Sequence, residues 1–324
     1  MALGEFALID HYFRSGSARR DDVVAGVGDD AALLRCPPDQ QLVAAIDTLV
    51  DGVHFPPGSS PTSVGHRALA VNLSDLAAMG AQPAWALLAL TLPAVDEAWL
   101  EAFASGFNAL ANEHGVALVG GDTTSGPLSI SVQILGFAPP STALLRSGGK
   151  PGDLVFVSGT TGDAAAGLHI EQGKLQVADH AHEDYLRHRF LFPTPRVALG
   201  RLLREYATAC IDVSDGLFAD ASKLAAASNC GVDLQWEHAP VSPALVAAVG
   251  IEQAAQLAFT GGDDYELCFS VSPLEVERLQ YAVAEARGVS IRPIGTLGKV
   301  PGARVLRDGT VMNLSARGFD HFGA

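Results

Sequence analysis

Cysteine is scarce in this chain. Its four copies, Cys36, Cys210, Cys230 and Cys268, are scattered, with no C-x-x-C pair and no His–Cys cluster. That argues against a disulfide framework and a thiolate metal site, and leaves reduced structural thiols in a cytoplasm as the expectation. Basic residues are short as well: 21 Lys and Arg stand against 36 Asp and Glu, a formal net charge of −15. A duplex-binding protein would carry a basic stripe, so nucleic acid is not an expected partner. An anionic small molecule fits this balance only if cations bring it to the protein. Long apolar runs are missing too. The longest, "AWALLALTLPAV" (84–95), has 12 residues and includes Pro93, against the roughly 20 that a bilayer span needs. It reads as a buried strand, and no membrane partner is expected. The segment "MALGEFALID" carries Glu5 and Asp10 and no basic stretch, so it does not read as a secretory signal. The familiar phosphate motifs are lacking: "SGGKPGD" has neither the first glycine nor the hydroxyl of a P-loop, and neither G-x-G-x-x-G with a partner acid nor a kinase-type H-R-D or D-F-G set occurs.

What is present is a globular composition, 48% hydrophobic and 18% charged over 324 residues, long enough for two domains. Phe6, Ile9 and Phe13 share one helical face in "GEFALIDHYF". "QLVAAID" reads as a strand ending at Asp47. Ser60 and Pro61 open a helix that Gly80 stops. Asp96 caps another, with Trp99, Phe103, Phe107 and Leu110 inside and Gly115 at its end. "AWALLALTL", "VALVGG" and "LSISVQILGF" read as strands. The first and last carry apolar residues on both faces, as a sheet buried on both sides should. The Pro/Gly/Ser-rich stretch 138–152 then reads as a linker between a domain at 1–137 and another at 153–324. Beyond it come strands at "LVFVSG", "TACID" and "YELCFSVS", helices at "GDAAAGLHI", "TPRVALGRLLREY", "GLFADASKLAAAS" and "PLEVERLQYAVAEARG", and a closing hairpin turning at Asp308-Gly309. Both halves mix strand and helix, so the expected fold is two-domain α/β or α+β.

The chemistry sits in dispersed carboxylates: Asp29 and Asp30, Asp47, Asp75, Asp122, Asp212 and Asp215. Hard oxygen donors of this kind suit Mg²⁺. Asp75 stands out, because it interrupts the small apolar residues of "AVNLSDLAAMG" and an unpaired buried carboxylate is costly. In "IDVSDG" and "GGDTT", glycines beside the acids suggest close approach of backbone N–H groups to phosphate. Each piece alone also has a plainer reading: an N-cap for any Asp before a helix, a packed loop histidine for His54, a solvated linker charge for Arg146, a simple turn for "GGDDYEL".

Taken in order, "VGDDAAL", "DTLVDGVHF", "ALAVNLSDLAAMGAQP", "GGDTT", "LLRSGGKPGD", "IDVSDGL", "GGDDYEL" and "RGFDHF" resemble the thiamine-monophosphate kinase family over nearly the entire chain. The resemblance implies transfer of the γ-phosphoryl group of ATP onto thiamine monophosphate, giving thiamine diphosphate, with several Mg²⁺ ions, no dedicated general base and a homodimer. It also implies the fold of the aminoimidazole-ribotide synthetase superfamily: an N-terminal sheet domain that pairs across the dimer into a barrel, and a C-terminal α/β sandwich domain. By matching position, Asp30, Asp47, Asp75, Asp122, Asp212 and Asp215 would bind Mg²⁺. Gly121, Asp122, Arg146 and Ser214 would contact ATP, and His54, Asp263 and Phe319 the thiamine substrate. The chain departs from the family pattern twice: Ala45 and Ile46 replace hydroxyl residues before Asp47, and position 263 is Asp where relatives often have Glu. The rival enzymes in the same superfamily are aminoimidazole-ribotide synthetase and selenophosphate synthetase. The latter would want a reactive Cys near the N-terminus, and the first here is Cys36. A non-catalytic Mg-nucleotide-binding module is the rival of another class.

Overall fold

The structure is a computed structural model that describes residues 5–14 and 16–314. Two compact units emerge, one of residues 1–76 and 81–141, the other of 77–80 and 142–324.

In the first unit, helix α1 (Glu5–Tyr12) precedes a small ribbon of β1 (Val23–Ala25) and β2 (Leu33–Leu34). There follow β3 (Gln41–Val50), α2 (Pro61–Ala78), β4 (Gln82–Leu92), α3 (Glu97–Glu113), β5 (Ala117–Ser125) and β6 (Ser129–Ala138). The four long strands form one sheet in the order β3-β6-β4-β5. β4 and β5 are its parallel pair, joined by the α3 crossover that parallel strands require. As expected from the sequence, Pro61 is the first helical residue of α2, and the Asp96 carboxylate caps α3 by accepting from the Trp99 N–H at 3.1 Å. α2 is buried on most of its circumference, with Val64, Ala68, Leu69, Leu73 and Leu76 at or near zero exposure. It is therefore apolar or small almost all round rather than striped.

One expectation changes here. β3 does not stop at Asp47, because Thr48, Leu49 and Val50 continue the ladder against Ser131, Ile130 and Ser129. β6 carries apolar residues on both faces, as expected: Ile130, Val132 and Ile134 are buried on one, and Leu135 and Phe137 lie on the other beside half-buried Ser129, Ser131 and Gln133. That second face also carries Leu42 and Ile46, 50% and 64% exposed.

The second unit contains β7 (Leu154–Ser158), α4 (Asp163–Glu171), α5 (His180–Leu191), α6 (Val197–Leu203), β8 (Ala207–Val213), α7 (Leu217–Ala227) and β9 (Gly231–Gln235). α8 (Pro243–Val249), α9 (Ile251–Thr260), β10 (Glu266–Val271), α10 (Val276–Glu285), β11 (Ile291–Gly298), β12 (Gly302–Arg307) and β13 (Thr310–Met312) complete it. Its seven-stranded sheet runs β13-β12-β9-β11-β7-β10-β8, antiparallel except for β9 against β12. Val155, Val157, Ile211, Leu217, Leu224, Val232 and Phe259 form its core. A second core joins Ala166, Ile170, Leu186, Leu245 and Ala254 among α4, α5, α8 and α9. The hairpin at Asp308-Gly309 is present, with both residues at positive φ. α5, α8, α9, β9 and β11 carried no clear sequence signal. α5, "HAHEDYLRHRFL", buries only Leu186, Arg189 and Phe190, too few for a visible apolar stripe. Among the described residues, no helix is long and apolar enough to cross a membrane.

Candidate functional site

The acid of "AVNLSDLAAMG", half-buried rather than buried, has a partner of its own kind. Asp75 on α2 is hydrogen-bonded to Asp47 on β3. Burial raises the Asp47 carboxyl above the ordinary carboxylate range, and the contact with Asp75 opposes that rise. Two carboxylates at hydrogen-bond distance cannot both be bare anions; a proton or a cation must lie between them. One turn earlier on α2, Asn72 accepts from the Asp47 N–H at 3.1 Å and donates to Ala68 O at 3.0 Å, tying the edge strand to the helix. Sequence reasoning picked out both acids but not Asn72, whose amide reads from sequence as one more polar residue in a helix.

The other first-unit candidates are placed differently. Asp47 stands in the row of Val132, Leu88 and Gly121, and Asp122 in the next row with Ala89, Ser131 and Thr48. Rows one residue apart project to opposite faces of a sheet, so the register separates these two acids. "GGDTT" lies within β5 rather than in a loop. Gly121 has φ 151°, and a Cβ there would lie 1.8 Å from Leu88 O. Strand packing alone therefore demands that glycine. Asp30 is exposed in a turn, its N–H donating to Asp29 Oδ1 at 2.9 Å. His54 is half-buried, and its Nδ1 accepts from the Val50 N–H at 3.0 Å, which puts the proton of the neutral ring on Nε2. Ala45 and Ile46 offer no side-chain oxygen, and the adjacent Thr48 hydroxyl is engaged with Ser131 at 2.7 Å.

In the second unit the structure does bring candidates together. Asp212 sits near the end of edge strand β8, 5% exposed, followed by Ser214 and Asp215. The Asp263 N–H donates to Ser214 O at 2.9 Å and the Tyr265 N–H to Val213 O at 2.9 Å. The "IDVSDG" and "GGDDYEL" segments therefore lie side by side, so close that a Cβ on Gly262 would reach within 2.5 Å of Ser214 O. Asp263 and Tyr265 both have positive φ, and the Tyr265 hydroxyl donates to Asp263 Oδ1 at 3.2 Å. The N–H groups of Ser214 and Asp215, just before the helix that Gly216 opens, both donate to Asp220 Oδ2, at 3.0 and 2.9 Å. Lys223 then bridges Asp215 and Asp220. Arg146 is exposed, and its carbonyl accepts from Ser228 Oγ at 3.1 Å. Phe319 lies outside the described residues.

Behind Asp263 is a buried ionic cluster that the sequence reading missed. Glu266 is fully buried and accepts from Ser158 Oγ, from Arg189 Nη2 at 3.0 Å and from both Nε and Nη2 of Arg196. Asp264 accepts from Gly162 N–H and Ala164 N–H at the start of α4, and burial pushes its carboxyl up to about 8. Asp163 accepts from Thr160, Tyr185 and Ser242 hydroxyls. Only the flanking "DDYE" was visible in sequence; the arginines lie about seventy residues away, and nothing local in their segments singles them out.

Among the described residues, no three His, Cys, Asp or Glu side chains stand together as a ready metal cluster. The donor chemistry still fits a hard divalent ion: Asp47 and Asp75 are carboxylates in contact with each other, and Asp212 and Asp215 are carboxylates three residues apart at one strand end.

Comparison with known proteins adds the identity of the pattern. The AIR synthase related protein N-terminal domain matches residues 28–138, and the corresponding C-terminal domain residues 150–307. Thiamine-monophosphate kinase of Escherichia coli (strain K12) is 50% identical over 323 residues, 99% of each chain. The crystal structure of thiamine-monophosphate kinase from Stenotrophomonas maltophilia K279a is 47% identical, with TM-score 0.86, covering 94% of this chain and 97% of that one. The solved complex of AaThiL with AMPPCP and TMP is 31% identical, with TM-score 0.78 and 99% coverage of both chains.

Proposed function

The chain belongs to the AIR synthase related family, in its thiamine-monophosphate kinase branch, and from that premise we propose the reaction and the residues that carry it. It is a phosphotransferase that moves the γ-phosphoryl group of ATP onto the phosphate of thiamine monophosphate, giving thiamine diphosphate and ADP. The observation that carries this reading is the 50% identity over 323 residues, 99% of both chains, to an enzyme of that name.

ATP and a phosphomonoester together bring about five to six negative charges near neutral pH, and this protein adds its own −15. Several Mg²⁺ ions, when bound, would offset that charge and polarise the transferring phosphoryl group. Asp30, Asp47, Asp75, Asp122, Asp212 and Asp215 are the residues to hold them. Gly121, Asp122, Arg146 and Ser214 serve ATP. Arg146 brings a planar fork suited to phosphate oxygens. His54, Asp263 and Phe319 serve the thiamine substrate, and the Asp263 carboxylate favours a cationic thiazolium. Asp263 is one methylene shorter than Glu, and its positive φ and the Tyr265 hydroxyl fix its direction. No general base is needed, since the acceptor is already an anionic oxygen, and in-line transfer follows from positioning alone.

The assembly we propose is a cytoplasmic homodimer. The first unit's sheet face with exposed Leu42 and Ile46 pairs with its counterpart to close a barrel.

The reading is tested by incubating the pure protein with ATP, Mg²⁺ and thiamine monophosphate and separating the products. Thiamine diphosphate and ADP in equal amounts are expected. Folded protein that hydrolyses ATP and leaves thiamine monophosphate untouched would refute it.

A further inference from the structure

The end of "IDVSDG" is already holding a cation. Lys223 Nζ contacts the carboxylates of Asp215 and, at 2.8 Å, Asp220. The two acids are not equivalent. Asp220 is 1% exposed, and its Oδ2 takes the N–H groups of Ser214 and Asp215. It is a fixed part of the loop, and moving it would strand two N–H donors. Asp215 is the outer member, its side chain 29% exposed. Lys223 reaches in from α7, one turn beyond Asp220, with its side chain 42% exposed. A lysine carries its charge on a flexible four-carbon stem and can leave at little structural cost.

We infer that Lys223 is the resident counter-ion of the Asp215–Asp220 pair: it occupies Asp215 in the free protein and must swing away when a divalent ion arrives. The inference rests on the reading above that Asp215 is a metal-holding residue. The site is then stable without metal and does not collect stray divalent ions, because any ion must displace an ammonium group first. Asp220 stays with the backbone throughout and is a positioning residue, not a ligand.

The test is a titration of the full-length protein with Mn²⁺ alone, free ion being followed by electron paramagnetic resonance, in wild type, Lys223→Met, Lys223→Arg, Asp215→Asn and the Lys223→Met/Asp215→Asn double variant. Thermal melts confirm folding. Removing a positive charge about 5 Å from a divalent ion near the surface should tighten Mn²⁺ binding at that site by about three- to tenfold in Lys223→Met. Lys223→Arg should stay close to wild type. In the Asp215→Asn background the Lys223→Met change should have a clearly smaller effect, since Lys223 then holds only Asp220. Unchanged or weaker binding in Lys223→Met, or the same tightening without Asp215, overturns the inference while leaving the metal role of Asp215 standing. If Asp215→Asn itself loses no Mn²⁺ affinity, the metal reading fails and this inference with it.

Discussion

Asp47→Asn should make the metal-free protein more stable and the enzyme inactive. The isosteric amide removes one charge from the Asp47–Asp75 contact and can donate to Asp75 in its place. Two like charges 4 Å apart at an effective dielectric of about 20 repel by about 4 kcal/mol. Sharing of one proton and partial solvation of both groups reduces the recoverable part to roughly 1–2 kcal/mol. At about 2–4 °C per kcal/mol, the melting temperature should rise by about 2–8 °C. The pH dependence follows from the raised carboxyl of Asp47. A carboxyl whose folded pKa lies above its unfolded value contributes full stability below the unfolded pKa, about 3.9. It loses that contribution as pH rises through the folded value. The gain from Asp47→Asn should therefore be present at pH 7.5 and absent near pH 3.5. Calorimetric melts in EDTA at the two pH values measure it. Added Mg²⁺ should then stabilise wild type more than the variant, narrowing or reversing their order. A variant less stable than wild type at pH 7.5 in EDTA, or equally stabilised by Mg²⁺, would refute the reasoning.

Asp264, held at about 8 by burial, makes stability fall as pH rises from about 4 towards 8, so Asp264→Asn should flatten that part of a urea-midpoint-against-pH profile. Glu266→Ala leaves Arg189 and Arg196 without their buried partner and should cost about 3–5 kcal/mol in urea unfolding, whereas breaking an exposed pair such as Arg304–Asp233 should leave the urea midpoint nearly unchanged. Ile46→Glu, at an exposed site on the proposed pairing face, should shift sedimentation at micromolar concentration from dimer to monomer while leaving the circular dichroism unchanged.

The long strands and helices of the first unit were legible because each has a period and an end signal: Pro61 and Asp96 start helices, and β4 is nearly continuous apolar sequence. The end of β3 was misplaced because Asp47 looks like a terminus, whereas its amide is simply handed to Asn72. Nothing local announces a helix side chain that completes a strand edge. The acids themselves were conspicuous, since Asp among Gly and Ala invites a reason. Their surroundings were not. Asp220 is an ordinary acid in the first turn of a helix until the structure shows two backbone N–H groups pointing at it. The clamp on Glu266 comes from arginines far along the chain, and long-range pairing leaves no periodic trace.

The strand order of the second unit also bears on how the protein is made. β7 is the first strand of its sheet to leave the ribosome, yet both of its neighbours, β10 and β11, follow only after β8 and β9. At about 5–20 residues per second the roughly hundred residues between Ser158 and Glu266 take about 5–20 s to synthesise. For that time "LVFVS" has neither edge paired, and β8 and β9 have no centre to dock on. The nascent chain therefore carries an unpaired apolar strand through most of the synthesis of this unit. Slowed translation over residues 159–265 should lengthen its dependence on holding chaperones, whereas the first unit, whose four sheet strands are complete by Ala138, can close while the rest is still being made.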